Sequence, residues 1–195
     1  MEFIIRKPQQ IDYDLKIIVI GKVKIGKSIF IKRISVDNNY KEFSKLNNSN
    51  YIPTIGVHFN VKFLKFNDKI FKLQIWDFSG DDRFENFVKD YYLNSNVILV
   101  FYNGFLQSFQ KIKDIYNYQY NNNPNSIFAL IRTKYELTIK SEDDEYVSDE
   151  EAMEYADKNN MLFAHISSFE KYDNGIEKLL NLILIEYLRK NNNYN

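Results

Sequence analysis

Gly21-Lys22-Val23-Lys24-Ile25-Gly26-Lys27-Ser28 fits the pattern G-x-x-x-x-G-K-[ST]. Its flanks give the pattern a mechanism. The apolar run Leu15-Lys16-Ile17-Ile18-Val19-Ile20 before it reads as a buried parallel strand, and Ile29-Phe30-Ile31-Lys32-Arg33-Ile34 after it suits the start of a helix. A strand, a tight loop and a helix N-terminus make an anion cradle, because backbone N–H groups converge there and the helix dipole favours negative charge. Val23, Lys24, Ile25, Gly26, Lys27, Ser28 and Ile29 are therefore the candidate phosphate-binding residues. Lys27 is expected to reach the terminal phosphates, and the Ser28 hydroxyl to ligate Mg²⁺.

Working outward, strands and helices alternate. Val57 to Phe66 and Lys69 to Trp76 read as strands joined by a tight Asn67-Asp68 turn. Val97 to Phe101, Ser126 to Ile131 and Met161 to Ile166 are short apolar runs suited to a sheet covered on both faces. Leu106 to Tyr120 has helical spacing, Ser148-Asp149-Glu150-Glu151 is a capping box opening a helix through Lys158, and Ile176 to Leu188 is a closing amphipathic helix. The alternation implies a doubly wound α/β domain with its ligand at the carboxyl ends of the strands. The 195 residues suit one domain over 13–188, with an N-terminal extension over 1–12 and a disordered polar tail over 189–195.

A second cluster narrows the class. Thr54-Ile55-Gly56-Val57-His58-Phe59, Lys72-Leu73-Gln74-Ile75-Trp76-Asp77 and Arg83-Phe84 resemble the Ras superfamily of small GTPases, and its Rab subfamily in particular. Tyr91-Tyr92, Leu99-Val100-Phe101 and the run from Val147 to Asn160 carry the same likeness. The resemblance implies a three-layer fold with an about six-stranded, mostly parallel sheet and helices on both faces. It implies GTP or GDP with Mg²⁺ as ligands. Ser28, Thr54 and Asp77 become the metal set, with Thr54 closing over the γ-phosphate. Gly80 is expected to offer its N–H to that phosphate, since a glycine allows close backbone approach. Gly80, Asp81 and Lys27 are the candidate catalytic residues. Ile55, Phe59, Trp76 and Phe84 would face effector and regulator proteins. Contacts that last only while the third phosphate is present make a two-state switch, plausible in vesicle trafficking.

Several positions depart from the family pattern. Thr133-Lys134-Tyr135-Glu136 stands where the family has [NT]-K-x-D, so Glu136 must read guanine on a longer stem. Ser167-Ser168-Phe169 replaces S-A-K; the Ser168 N–H can still donate to the base, and Phe169 can stack on it. Tyr40 is the candidate aromatic flanking the base, although the Asn-rich stretch Asn38 to Asn50 lengthens this segment. Gly80-Asp81-Asp82 lacks the water-orienting glutamine, Asp81 is expected to face the γ-phosphate, and Val23 crowds the space of water and an arginine finger. Lys24 replaces a usually small residue. Slow hydrolysis is the expectation.

Composition excludes other classes. Lys plus Arg and Asp plus Glu number 26 each, so no global field draws the chain to nucleic acid or anionic lipid. No cysteine is present for a disulfide, a thiolate nucleophile or a lipid anchor. A monomer in the cytoplasm is expected, peripheral to membranes only through partners. His58 reads as surface and His165 as a packed histidine. Two alternatives stay open: a pseudo-GTPase module permanently loaded with nucleotide, and a P-loop kinase acting on a small acceptor.

Overall fold

The computed structural model describes residues 1–4, 7–35, 54–81, 83, 89–133, 145–167 and 175–191. Among the described residues the strands are β1 (Glu2–Ile4), β2 (Tyr13–Ile20), β3 (Val57–Phe66), β4 (Lys69–Phe78), β5 (Val97–Tyr102), β6 (Ile127–Thr133) and β7 (Leu162–Ile166). The α-helices among them are α1 (Lys27–Ser35), α2 (Leu106–Asn122), α3 (Asp149–Lys158) and α4 (Gly175–Lys190). The sheet order is β1-β3-β4-β2-β5-β6-β7. β1 and β3 run antiparallel to their neighbours, and β4, β2, β5, β6 and β7 pair in parallel.

The centre of the sheet follows from its sequence. Every residue of β5 and of β6 is buried, as expected of strands with helices on both faces. Successive side chains point to opposite faces, so Phe101 and Tyr102 assign the layers. Phe30 of α1 packs edge-to-face on Phe101 at 5.1 Å, whereas Phe109 of α2 packs on Tyr102 at 5.4 Å. Tyr187 of α4 meets Tyr13 and Phe71, which lie on the α1 face, and Tyr155 of α3 meets Phe109 at 5.3 Å on the other. The result is three layers, α1 and α4 on one side and α2 and α3 on the other.

The hairpin turn between β3 and β4 has positive φ at both Asn67 (49°) and Asp68 (57°), the type I′ geometry that matches strand twist. The sheet has one strand more than the six expected. The extra strand comes from the N-terminal extension, where Glu2, Phe3 and Ile4 pair with Lys65, Leu64 and Phe63. It covers part of an edge whose unpaired N–H and C=O groups would otherwise be open, and Phe3 packs against the core. Three residues carry too little periodicity to be read as a strand in advance.

Candidate functional site

The carboxyl ends of β2, β4, β5 and β6 bring the candidate residues together. β2 ends at Ile20, the loop turns over residues 21–26, and α1 begins at Lys27. Gly26 adopts φ 111°, a conformation that a side chain rarely allows, and this sharp turn aims the first amides of α1 back at the loop. Lys24 also has positive φ (63°) without being glycine, so the loop holds a strained residue at its crest. Ile25 is buried, and its carbonyl accepts the Thr133 hydroxyl at 2.5 Å, with Tyr102 O 3.1 Å from the same hydroxyl. Thr133, at the end of β6, thus ties that strand to the loop before α1.

Lys27 lies over the loop rather than in solvent. Its ammonium donates to Gly21 O at 2.7 Å and to Lys22 O at 3.0 Å, and only 6% of the residue is exposed. Burial lowers its pKa to about 8, against the opposing pull of the Asp77 carboxylate. Ser28, the next residue, donates its hydroxyl to Asp77 Oδ2 at 2.6 Å. Thr54 Oγ1 lies 3.0 Å from Ser28 Oγ and 3.4 Å from the same carboxylate oxygen. Three side chains that are far apart in sequence therefore converge on one point.

Asp77 is 1% exposed, and its second oxygen, Oδ1, has no hydrogen-bond partner among the described residues. Burial raises its pKa, and the Ser28 hydrogen bond and Lys27 charge only partly offset this. A buried carboxylate with a vacant oxygen, flanked by two hydroxyls, is a hard-oxygen set of the kind that suits Mg²⁺. With a single carboxylate it is no all-protein cage; it fits an ion whose remaining ligands are waters and phosphate oxygens.

Gly80 lies directly against the loop. A Cβ built there would sit 2.3 Å from Lys22 C, 2.4 Å from Gly21 O and 2.4 Å from Val23 N. No side chain fits, so this glycine is what lets the end of β4 reach the phosphate cradle. Asp81 follows, and its carboxylate turns to Arg83. Arg83 Nη2 donates to Oδ2 at 2.6 Å, Nε lies 3.0 Å from both oxygens, and the Arg83 backbone N–H donates to Oδ1 at 3.0 Å. These contacts hold the Asp81 pKa down at about 2. The sequence expects this carboxylate to face the γ-phosphate; in the structure the guanidinium has taken it. Val23, at the loop's third position, is 40% exposed.

On the base side, Thr133 and Ser167 stand at the ends of β6 and β7, both buried. Lys134, Glu136, Ser168 and Phe169 lie outside the described residues, as do Tyr40 and Phe84. Arg132, one residue before Thr133, is buried and pairs with Asp149 at the start of α3. His165 Nε2 lies 3.6 Å from the other Asp149 oxygen and is one-third exposed, more open than a packed histidine. His58 is exposed, as its sequence suggests, and its Nδ1 lies 3.0 Å from the Asn60 amide.

Of the proposed partner-facing residues, Phe59 and Trp76 lie side by side. Ile55 is 82% exposed and Phe59 45%; the Phe59 ring lies 4.7 Å from Trp76, and Tyr91 lies 5.8 Å from the same indole. Tyr91 and Arg83 were not among the candidate site residues that the sequence offers. Tyr91 joins them through the short 3₁₀ turn Lys89–Tyr92, and that placement has no sequence period to announce it.

Comparison with known proteins agrees with this geometry. The Ras family model matches residues 16–188. The chain is 34% identical over 181 residues to the Ras-related protein Rab-1 of Theileria parva, covering 90% of this chain and 74% of the relative. The same figures hold for the Rab-1 of Theileria annulata. It is 33% identical over 164 residues to the GTP-binding protein YPT1 of Saccharomyces cerevisiae, covering 82% of this chain and 72% of that protein. With the phosphate loop, the Ser28–Thr54–Asp77 cluster and the three-layer sheet in place, the chain belongs to the Ras family of small GTPases and is Rab-like within it.

Proposed function

We propose that this protein is a guanine-nucleotide switch that binds GTP and GDP with Mg²⁺, hydrolyses GTP slowly and recruits effectors in membrane trafficking. The observation that carries the reading is the convergence of Ser28, Thr54 and Asp77 beside Lys27, with Gly80 pressed on the same loop. Lys27 holds the β- and γ-phosphates, and the amides of 23–29 cradle them. The metal, when bound, neutralises phosphate charge as it develops. Thr54 and Gly80 are the two groups whose contacts depend on the third phosphate, and they couple its presence to the flanking segments.

The names Rab-1 and YPT1 support the trafficking role, and exposed Ile55, Phe59 and Tyr91, the last two against the half-buried Trp76 ring, supply apolar surface for effectors. Among the described residues no helix is long and apolar enough to cross a membrane. Guanine is read by Glu136 and the Ser168 N–H, with Phe169 against the base.

Slow turnover follows from position 81. An ionised carboxylate has no N–H to donate to an attacking water, and here both its oxygens serve Arg83. The decisive test is the nucleotide that purified protein releases on denaturation, together with calorimetry of Lys27→Ala. Guanine nucleotide should be released, and Lys27→Ala should weaken binding by more than about a hundredfold, as expected for loss of a charge-assisted phosphate contact. Unchanged affinity in Lys27→Ala would remove the phosphate role from this loop. Equal potency of ATP and GTP in competition would remove guanine recognition.

A further inference from the structure

We propose that Arg83 is a built-in counter-charge that cancels Asp81 at the mouth of the phosphate loop and thereby sets how far the site favours nucleoside triphosphate over diphosphate. The inference rests on the nucleotide reading above. Its first support is position. Gly80 lies so close to Gly21, Lys22 and Val23 that a Cβ would overlap their backbone, and Asp81 is the next residue. An aspartate here begins one residue from the loop and has its carboxylate within side-chain reach of any phosphate held there.

The second support is the form of the contact. Arg83 meets the carboxylate with Nε and Nη2 together, while its own backbone N–H donates to Oδ1 at 3.0 Å. The backbone bond closes an Asx turn, and the guanidinium adds the two-pronged geometry that fixes both partners. The contacts between Asp81 and Arg83 form within three residues. Exposed ion pairs add little to stability, and Arg83 is 82% exposed along its side chain. Charge cancellation beside an anionic ligand is a role that such a pair can still fill.

The chemistry is a matter of sign. A triphosphate brings one more negative group to the loop than a diphosphate does, and that group binds nearest Gly80. A bare Asp81 would repel it and leave the diphosphate little affected. With Arg83 in place the Asp81–Arg83 pair is neutral as a unit. The Arg83 guanidinium and backbone N–H hold the Asp81 pKa at about 2 against a small opposing effect of burial, and so keep the carboxylate ionised and paired.

The test uses the full chain and three variants: Arg83→Met, Asp81→Asn, and both together. GTP and GDP each displace a fluorescent GDP analogue in the presence of Mg²⁺, and the ratio of the two affinities is the readout. Arg83→Met should lower the GTP:GDP ratio by about tenfold, the size of a unit charge at partly screened distance. The double variant should return the ratio to within about threefold of the wild type, because the charge that needed cancelling is gone. The fall in Arg83→Met should shrink as salt rises. An unchanged ratio in Arg83→Met, equal loss of both nucleotides, or a fall that persists in the double variant would overturn the proposal. Wild-type protein that binds neither nucleotide would instead sink the nucleotide reading itself, so the two failures are distinct.

Discussion

Asp77 and Asp81 lie four residues apart at the end of one strand, and their surroundings are opposite. Asp77 is buried and, among the described residues, accepts from two hydroxyls and keeps one oxygen without a partner. Asp81 is partly exposed, and a guanidinium and a backbone N–H have taken both its oxygens. Desolvation pushes the first carboxyl up, whereas Arg83 pulls the second down to about 2. One carboxylate is poised for a cation from outside; the other carries its own. On the proposed function the difference separates two jobs: the residues assigned to phosphate and metal converge, and the carboxylate at the water-positioning place is tied to Arg83.

The sharpest way to break the comparison is Asp77→Asn. If this carboxylate is held uncompensated for a metal, Mg²⁺-dependent nucleotide affinity should fall by about 10–100-fold, the usual loss when a metal's supporting carboxylate is removed. The same variant without nucleotide and with chelator should be as stable as the wild type or more stable by about 1 kcal/mol, since a desolvated charge has gone. Thermal unfolding with EDTA and titration with Mg²⁺ read the two halves. A variant that loses stability in EDTA would show that Asp77 is paired in the empty protein, and the contrast with Asp81 would collapse.

Gly80 links the two carboxylates, and Gly80→Ala tests whether that link needs to be tight. The added Cβ would meet the loop backbone at 2.3–2.4 Å, and backbone cannot move aside as a side-chain end can. Overpacking of this kind costs about 1–3 kcal/mol. Relief requires the 80–81 segment to lift from the loop, so GTP affinity should fall by about tenfold or more while GDP, which lacks the third phosphate, falls less. Competition titrations with both nucleotides check it. Parallel losses would mean that Gly80 supports the loop itself and not the triphosphate.

What the sequence makes legible follows the range of the interactions. β3 is found at Val57–Phe66, the bounds read from sequence, because an alternating run ends in a two-residue turn. α3 starts at Asp149 because Ser148 accepts from the Glu151 N–H at 3.1 Å, a contact within one turn. Neighbours in space are different. Ser28, Thr54 and Asp77 are 26, 23 and 49 residues apart in pairs, and no period connects them. Only the resemblance to small GTPases placed them together. β1 escaped because three residues carry no pattern, and the Asp81–Arg83 pair because sequence does not say which way a carboxylate turns. The sequence places the Asp81 side chain at a phosphate, whereas a cation two residues on competes for it.

The smallest effect concerns turnover, and it depends on which group wins position 81. Hydrolysis needs a water held in line and charge dispersed over the γ-phosphate oxygens. Asp81 cannot donate to that water, and Val23, 40% exposed at the loop's third position, is expected from the sequence to crowd the same space. Asp81→Gln supplies an amide and at the same time releases Arg83, because a neutral side chain no longer holds the guanidinium by charge. Single-turnover phosphate release should therefore rise in Asp81→Gln by several-fold to about tenfold, within the range of one positioned general-base or hydrogen-bonding group. Val23→Gly added to it should raise the rate further by opening the same space. Asp81→Asn separates the two contributions: it frees Arg83 too, but its shorter amide should not reach the water, and its rate should stay near that of the wild type. A wild-type rate equal to or above that of the Asp81→Gln, Val23→Gly variant would mean that this chain places its water by another group, and that the pairing of Asp81 with Arg83 does not limit hydrolysis.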